Sequence, residues 1–272
     1  MNLLGCLPED LGGPNAGKVL AWVISHGKAD FSGRRDLRVE PTWTWSRPRI
    51  VERVPDEGGA SLRYLFEAGD GAVFEAVRIQ LERPGRYTVC LSSQVGCAMG
   101  CVFCATGQMG FARQLTSTEI FEQAALFSRE LTQRGERLSN IVFMGMGEPF
   151  HNFDAVVEAI GRLGGELGIG ARHMTVSTVG LAPKIREFAE LGLQVGLAIS
   201  LHAATDEERS ALLPVNRRYP LAELLDACRY YLARGGRRIS FEWALIAGKN
   251  DSVETAAQLG RLLAGLQCHV NL

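Results

Sequence analysis
The sequence predicts an α/β fold: a partial (βα)6 barrel preceded by a small N-terminal accessory unit. Three observations carry the prediction. From Tyr87 onwards short apolar runs alternate with segments of helical period. Before Tyr87 the apolar pattern repeats every second residue, as in antiparallel strands. Three cysteines follow the first apolar run directly, at the position where parallel βα architectures gather their chemistry.

Taken in order, the accessory unit (1–84) holds a helical stretch at Gly17 to Ser25, an Arg/Pro/Trp-rich connection, and strands at Ser61–Glu67 and Ala72–Ile79 around the turn Ala68-Gly-Asp-Gly71. The barrel (85–272) then reads as strands at Tyr87–Ser92, Asn140–Met146, His173–Thr178, Val195–His202, Ile239–Ile246 and Cys268–Leu272. Helical periodicity fills the gaps at Thr116–Arg134, Asp154–Leu163, Pro183–Leu191, Ala222–Ala233 and Val253–Leu266. Such alternation implies a parallel sheet with crossover helices, and the chain ends inside its sixth strand.

Composition narrows the setting. The 272 residues are 46% hydrophobic and 22% charged, an ordinary globular balance, and contain no apolar run of about 18 residues that could span a bilayer. Seven cysteines, an odd number with three clustered, fit a reducing compartment, so a cytoplasmic location is expected; a monomer is the default, with nothing in the sequence to fix the oligomeric state. A net charge of −1 does not advertise nucleic-acid binding, which must rest on local patches. One candidate joins Arg34, Arg35, Arg38, Arg47, Arg49 and Arg53 with Trp43 and Trp45; the other runs from Ala211 to Lys249 and includes Arg217-Arg218 and Arg237-Arg238. Either could equally be a solvated surface.

The densest chemical signal is Cys97-Ala-Met-Gly-Cys101-Val-Phe-Cys104. Three thiolates can hold three corners of a four-iron cluster and leave the fourth iron open for a ligand. Zinc is the competing reading, but structural zinc needs four protein ligands and no partner pair is evident. Phe103 is placed to shield the cluster. At equivalent strand ends stand Gly145-Met-Gly147-Glu148-Pro149, Ser177, and Ser200-Leu201-His202. The glycines admit close backbone approach, and Glu148 can accept hydrogen bonds from an ammonium or from ribose hydroxyls. Alone, the serines would be turn or cap residues and the histidine structural.

Longer stretches resemble one family. CxxxCxFC followed by GxGEP is similar to the radical S-adenosylmethionine (SAM) superfamily. Cys90-Leu-Ser-Ser-Gln-Val-Gly-Cys97, Cys104-Ala-Thr-Gly, Gly110-Phe-Ala-Arg113, Phe143–Pro149, Ser177-Thr-Val-Gly180, Ser200-Leu-His-Ala203 and Leu213-Pro-Val-Asn216 together resemble the RlmN/Cfr RNA methyltransferases. Leu7 to Phe31 resembles the family's small helical RNA-binding domain, in shortened form.

The resemblance implies a radical-SAM barrel and assigns Cys97, Cys101 and Cys104 to a [4Fe-4S] cluster, and Gly147, Glu148, Ser177, Ser200, Leu201 and His202 to SAM. It implies methyl transfer to C2 of an adenosine in 23S rRNA and in tRNA, with two SAM molecules and a reductant such as flavodoxin. SAM cleavage supplies a 5′-deoxyadenosyl radical, and the methyl group travels through a carrier cysteine near the family's C-terminus. Cys90 falls at the position of the cysteine that releases product, and Glu75, in Phe74-Glu-Ala-Val77, at that of the proton acceptor. Without the resemblance, Glu75 reads as an exposed strand residue and Cys90 as a small buried hydrophobe. The carrier cysteine is expected to lie beyond Leu272, so the resemblance implies a C-terminally truncated chain whose own methyl transfer fails. Cys6, Cys228 and Cys268 receive no role. A C8-directed, Cfr-like enzyme and a shortened RNA-binding paralogue are the alternatives.

Overall fold
The computed structural model describes residues 16–26 and 48–272. Its regular elements, in chain order, are α1 (Ala16–His26), β1 (Arg49–Pro55), β2 (Ser61–Glu67), β3 (Val73–Gln80), β4 (Arg86–Cys90), β5 (Gln94–Gly96), α2 (Ala105–Gln108), β6 (Phe111–Gln114), α3 (Ser117–Thr132), β7 (Arg137–Phe143), α4 (Phe153–Gly165), β8 (Met174–Thr178), α5 (Ala182–Glu190), β9 (Gly196–Ser200), α6 (Asp206–Leu212), α7 (Leu221–Ala233), β10 (Ile239–Glu242), α8 (Val253–Leu262) and β11 (Cys268–Asn271). Two short 3-10 turns, Pro149–Asn152 and Pro214–Arg217, border the site described below. The chain forms two compact units. The first holds the described residues up to Ser92, with Leu115–Ile141 and Ala155–Ile169; the second holds Ser93–Gln114, Val142–Asp154 and Gly170–Leu272.

In the first unit the strand order is β1-β2-β3-β4-β7, and β1 to β4 form an antiparallel meander. Period-two alternation sends Tyr64, Phe66, Phe74, Ala76 and Val89 to one buried face. Helix α3 covers it: Phe127 meets Tyr64 edge-on at 4.5 Å, and Glu130 accepts hydrogen bonds from the Tyr64 hydroxyl and from Arg53. The start of α3 is fixed by a capping box, in which the Thr116 hydroxyl accepts from the Glu119 amide and the Glu119 carboxylate accepts from the Thr116 amide.

In the second unit β8, β9, β10 and β11 lie side by side in that order, all parallel. Parallel neighbours require crossovers, and α5, the pair α6–α7, and α8 supply them. The central strand β9, Gly-Leu-Ala-Ile-Ser, is buried along its first four residues, as expected of a strand covered on both faces. Helices α5 and α7 pack together through Phe188 and Tyr231, with Arg186 paired to Asp226 at the rim.

The alternation read from the sequence matches the order of the main strands and helices, with local differences; the short helices α2 and α6 are additions to it. β10 stops at Glu242 rather than Ile246, because Asn250 takes over the backbone: its side chain accepts from the Ile246 amide and donates to the Ala244 carbonyl. β7 ends at Phe143, and the Met146 carbonyl instead accepts from the Ser93 and Gln94 amides. Strand β1 and the hairpin β5–β6 were not anticipated, since Arg49–Pro55 has little apolar alternation and Gln94–Gly96 spans only three residues. The basic stretch from Ala211 to Lys249 does not form one patch. Arg217-Arg218 follow the C-terminal end of β9, whereas Arg237-Arg238 precede the N-terminal end of the parallel β10. Of the first basic patch, Arg34, Arg35, Arg38, Arg47, Trp43 and Trp45 lie outside the described residues, as do Cys6 and most of Leu7 to Phe31; Arg49 pairs with Glu67 and Arg53 with Glu130.

Phe127 is fully buried against Tyr64 and Phe66. Phe127→Ala is expected to destabilise the first unit by about 3–5 kcal/mol, read from chemical denaturation.

Candidate functional site
Because β8, β9 and β10 are parallel, Thr178, Ser200 and Glu242 finish at the same end of the sheet. There a cavity of about 240 Å³ is lined by Cys97, Cys101 and Cys104, by Gly147 and Glu148, and by Ser177, Ser200 and His202, with Phe103, Met144 and Glu242 among the remaining walls. Eight of the predicted cluster and SAM residues therefore converge. Leu201 does not line the cavity: its side chain is fully buried, and its backbone bridges to Glu242 through an amide-to-carbonyl bond of 3.0 Å.

The cysteine loop is held at both ends. Before it, the hairpin of β5 and β6 closes so tightly that a Cβ on Gly96 would fall 1.9 Å from the Gly110 oxygen, and that oxygen accepts from the Cys97 amide at 2.9 Å. Within it, the Val102 amide donates to the Leu212 carbonyl at the end of α6, and the Cys104 amide to Cys101.

Glu148 is 2% exposed, and both its oxygens are engaged by backbone: Oε1 accepts from the Phe150 amide at 2.9 Å and Oε2 from the Val179 amide at 2.8 Å. It ties the loop after β7 to the loop after β8. Gln94 does the same between the hairpin and the β7 loop. Its Oε1 accepts from the Glu148 amide, and its Nε2 lies within hydrogen-bond distance of Gln114 and of His151 Nδ1. Gly147, at φ 102°, lies against this residue; a Cβ there would sit 2.5 Å from Gln94 Cγ. Burial raises the Glu148 pKa to about 7 against the downward pull of the Val179 amide, the Thr178 hydroxyl and the Phe150 amide.

His202 is the one non-glycine residue with positive φ among the described residues, at 58°. Its Nδ1 accepts from the Ala244 amide at 2.9 Å, so the ring proton sits on Nε2. Burial, reinforced by the charge of Arg209, lowers its pKa to about 4, and Phe103 meets the ring edge-on at 4.8 Å. Asn250 donates to the His202 carbonyl at 2.8 Å.

The thiols fit a metal cluster by their chemistry. None is in a disulfide. Burial pushes Cys97 up and, with repulsion from its neighbours, Cys101 to about 12, so both stay protonated until a cation displaces the proton. The three cysteines line a shared cavity, and a four-iron cluster would take one thiolate on each of three irons.

In the first unit, Cys90 pairs with Val77 across β3–β4, and the Ser92 hydroxyl donates to the Glu75 carbonyl at 2.5 Å. The register puts Glu75 and Cys90 on one sheet face as diagonal neighbours, about 7–8 Å apart. Arg63, on the neighbouring strand, reaches the Glu75 carboxylate at 3.7 Å. Sequence reasoning passed over Gln94, Arg209 and Asn250; their signal is a large polar residue beside a buried apolar run, which composition alone does not separate from surface.

Glu148 and His202 act on stability in opposite senses as pH changes. Glu148, with a folded pKa above its ordinary 4.5, stabilises the ligand-free fold below about pH 4.5, and this contribution is lost as pH rises to about 7. His202, lowered from 6.5, contributes above 6.5 and loses its contribution as pH falls towards 4. The Tm difference between wild type and Glu148→Gln isolates the first effect: it should be largest near pH 4.5 and shrink by pH 8.

Residues 91–260 match the model of the Radical SAM superfamily. The chain is 51% identical over 216 residues to dual-specificity RNA methyltransferase RlmN 1 of Myxococcus xanthus, covering 79% of this chain and 60% of that protein. It is 40% identical over 265 residues to a probable dual-specificity RNA methyltransferase RlmN of Geobacillus kaustophilus, covering 94% of this chain and 72% of that one. A crystal structure of a radical SAM methyltransferase from Sphaerobacter thermophilus superposes with a TM-score of 0.90 at 42% identity, over 100% of this chain and 83% of the other. The α/β fold with its partial barrel is thus shared, and the family implies a [4Fe-4S] cluster and SAM. With these similarities and the converging cavity together, the chain belongs to the RlmN family within the radical SAM superfamily.

Proposed function
We propose that this chain carries the cluster- and SAM-binding core of an RNA methyltransferase that acts on C2 of adenosine in 23S rRNA and tRNA. One observation supports the reading above the others: three free thiols, a Gly-Glu loop, two serines and a histidine line one cavity at the ends of parallel strands. In this reading Cys97, Cys101 and Cys104 hold the cluster, and Gly147, Ser177, Ser200 and His202 face SAM. Leu201 contributes through its backbone. The bound cofactors supply hydrogen abstraction by a radical; the protein positions and shields.

Each residue's part follows from its environment. Neutral His202 presents an Nε2–H donor to the cavity. Glu148, each of whose oxygens accepts one backbone amide and keeps a second lone pair, organises two loops and also faces SAM from the cavity wall. Glu75 is assigned as proton acceptor and Cys90 as the thiol that releases product, and their common sheet face supports a shared task. Cys228 is fully buried in α7, and Cys268 pairs with Ile239, so neither is assigned methyl transport. Residues 1–84 are assigned to RNA contact and 85–272 to the barrel. The reductant is of the flavodoxin class, and the protein works as a cytoplasmic monomer. No described helix is long and apolar enough to cross a membrane.

Anaerobic reconstitution is expected to give about four irons per chain. With a reductant and SAM the chain should then form 5′-deoxyadenosine, and Cys101→Ala should remove both signals. Stoichiometric zinc without iron would sink the assignment. Methylated RNA made by these 272 residues alone would place the carrier role on one of the seven cysteines.

A further inference from the structure
Arg209, in α6, is fully buried, yet among the described residues it has no ion-pair partner within 4 Å. Its four hydrogen bonds all end on neutral oxygens. Nη2 donates to the Val179 carbonyl after β8 at 2.6 Å and to the Ser200 carbonyl at the end of β9 at 3.0 Å; Nε donates to Leu201 at 3.2 Å and Nη1 to Asn216 Oδ1 at 2.9 Å. Asn216 in turn donates to Ser210 and to Asp206, whose carboxylate accepts from the Leu221 amide at the start of α7. The same helix holds the cysteine loop through Leu212 and Val102.

A buried guanidinium whose nearby carboxylate, Asp206, reaches it only through Asn216 is an expensive way to fill space. An apolar side chain of similar volume would serve stability as well or better. What no apolar residue can do is gather three carbonyls from the C-terminal ends of β8 and β9. The planar five-donor fork of arginine suits that task, whereas the three donors of lysine radiate from one nitrogen.

We propose that Arg209 is a positioning residue of the cofactor cavity: it clamps the C-terminal ends of β8 and β9 against each other and so fixes Ser177, Ser200 and His202, while its helix anchors the cysteine loop. The proposal rests on the reading that this cavity takes SAM. It concerns geometry, since Arg209 does not line the cavity.

The test compares wild type, Arg209→Lys and Arg209→Gln as the reconstituted 272-residue chain, by iron content, Tm, SAM affinity in equilibrium dialysis, and amide exchange without SAM. Arg209→Lys is expected to keep its iron and a near-native Tm and to lose SAM affinity by about tenfold or more, the scale of one charge-assisted hydrogen bond. Exchange should quicken locally over residues 178–181 and 200–204 and stay unchanged in α8. Arg209→Gln should lose more affinity. The proposal is overturned if Arg209→Lys binds SAM within twofold of wild type, including the case in which only Arg209→Gln fails and charge alone therefore matters. Affinity lost only in step with Tm, with exchange rising uniformly, would likewise reduce Arg209 to general stability. Should wild type not bind SAM while Arg209→Lys still shows the local exchange change, the SAM reading falls and the clamp stands.

Discussion
A parallel strand that ends at a cavity leaves backbone groups without ladder partners, and the second unit meets this constraint with a series of buried polar side chains. Gln94 joins the hairpin to the loop after β7, and Glu148 joins that loop to the one after β8. Arg209 joins β8 to β9, and Asn250 joins the loop after β9 to the loop after β10. Each is buried, and each spans two neighbouring connections. The cavity wall is therefore held from behind by groups that mostly do not face it. Their cost is desolvation, offset by the backbone groups they satisfy.

This arrangement explains which parts of the site were legible in the sequence. The cysteine triplet and the strand-end residues stand out because their types are unusual for their positions and their spacing repeats that of the strands. Cys97, Ser177, Ser200 and His202 were found this way, and all line the cavity. The clamps were hidden. Arg209 sits in the acidic run Asp206-Glu-Glu-Arg-Ser210 and reads as one more solvated charge, yet it is fully buried. Glu148 was visible, but its use of both oxygens for backbone amides was not. Leu201 is assigned to SAM by the family resemblance, and its side chain turns into the core between the cavity-lining Ser200 and His202.

The fold shows the same division. Long periodic segments such as α3, α7 and β9 were recognisable because burial imposes a repeat on many residues. The three-residue β5 carries no repeat, and Arg49–Pro55 is a strand through its pairing with β2 rather than through its own pattern. Likewise the face shared by Glu75 and Cys90 depends on the β3–β4 register, which no local signal specifies.

The tautomer of His202 has a consequence beyond its placement. Imidazole is the side chain that commonly responds to the acidity of its surroundings near neutrality. Here one nitrogen is occupied by the Ala244 amide, and protonation is deferred to about pH 4. Across the range in which a cell's acidity fluctuates, the ring is a constant: a fixed dipole whose polarity towards the cavity does not drift. A residue type best known as a sensor has been made deaf to the signal.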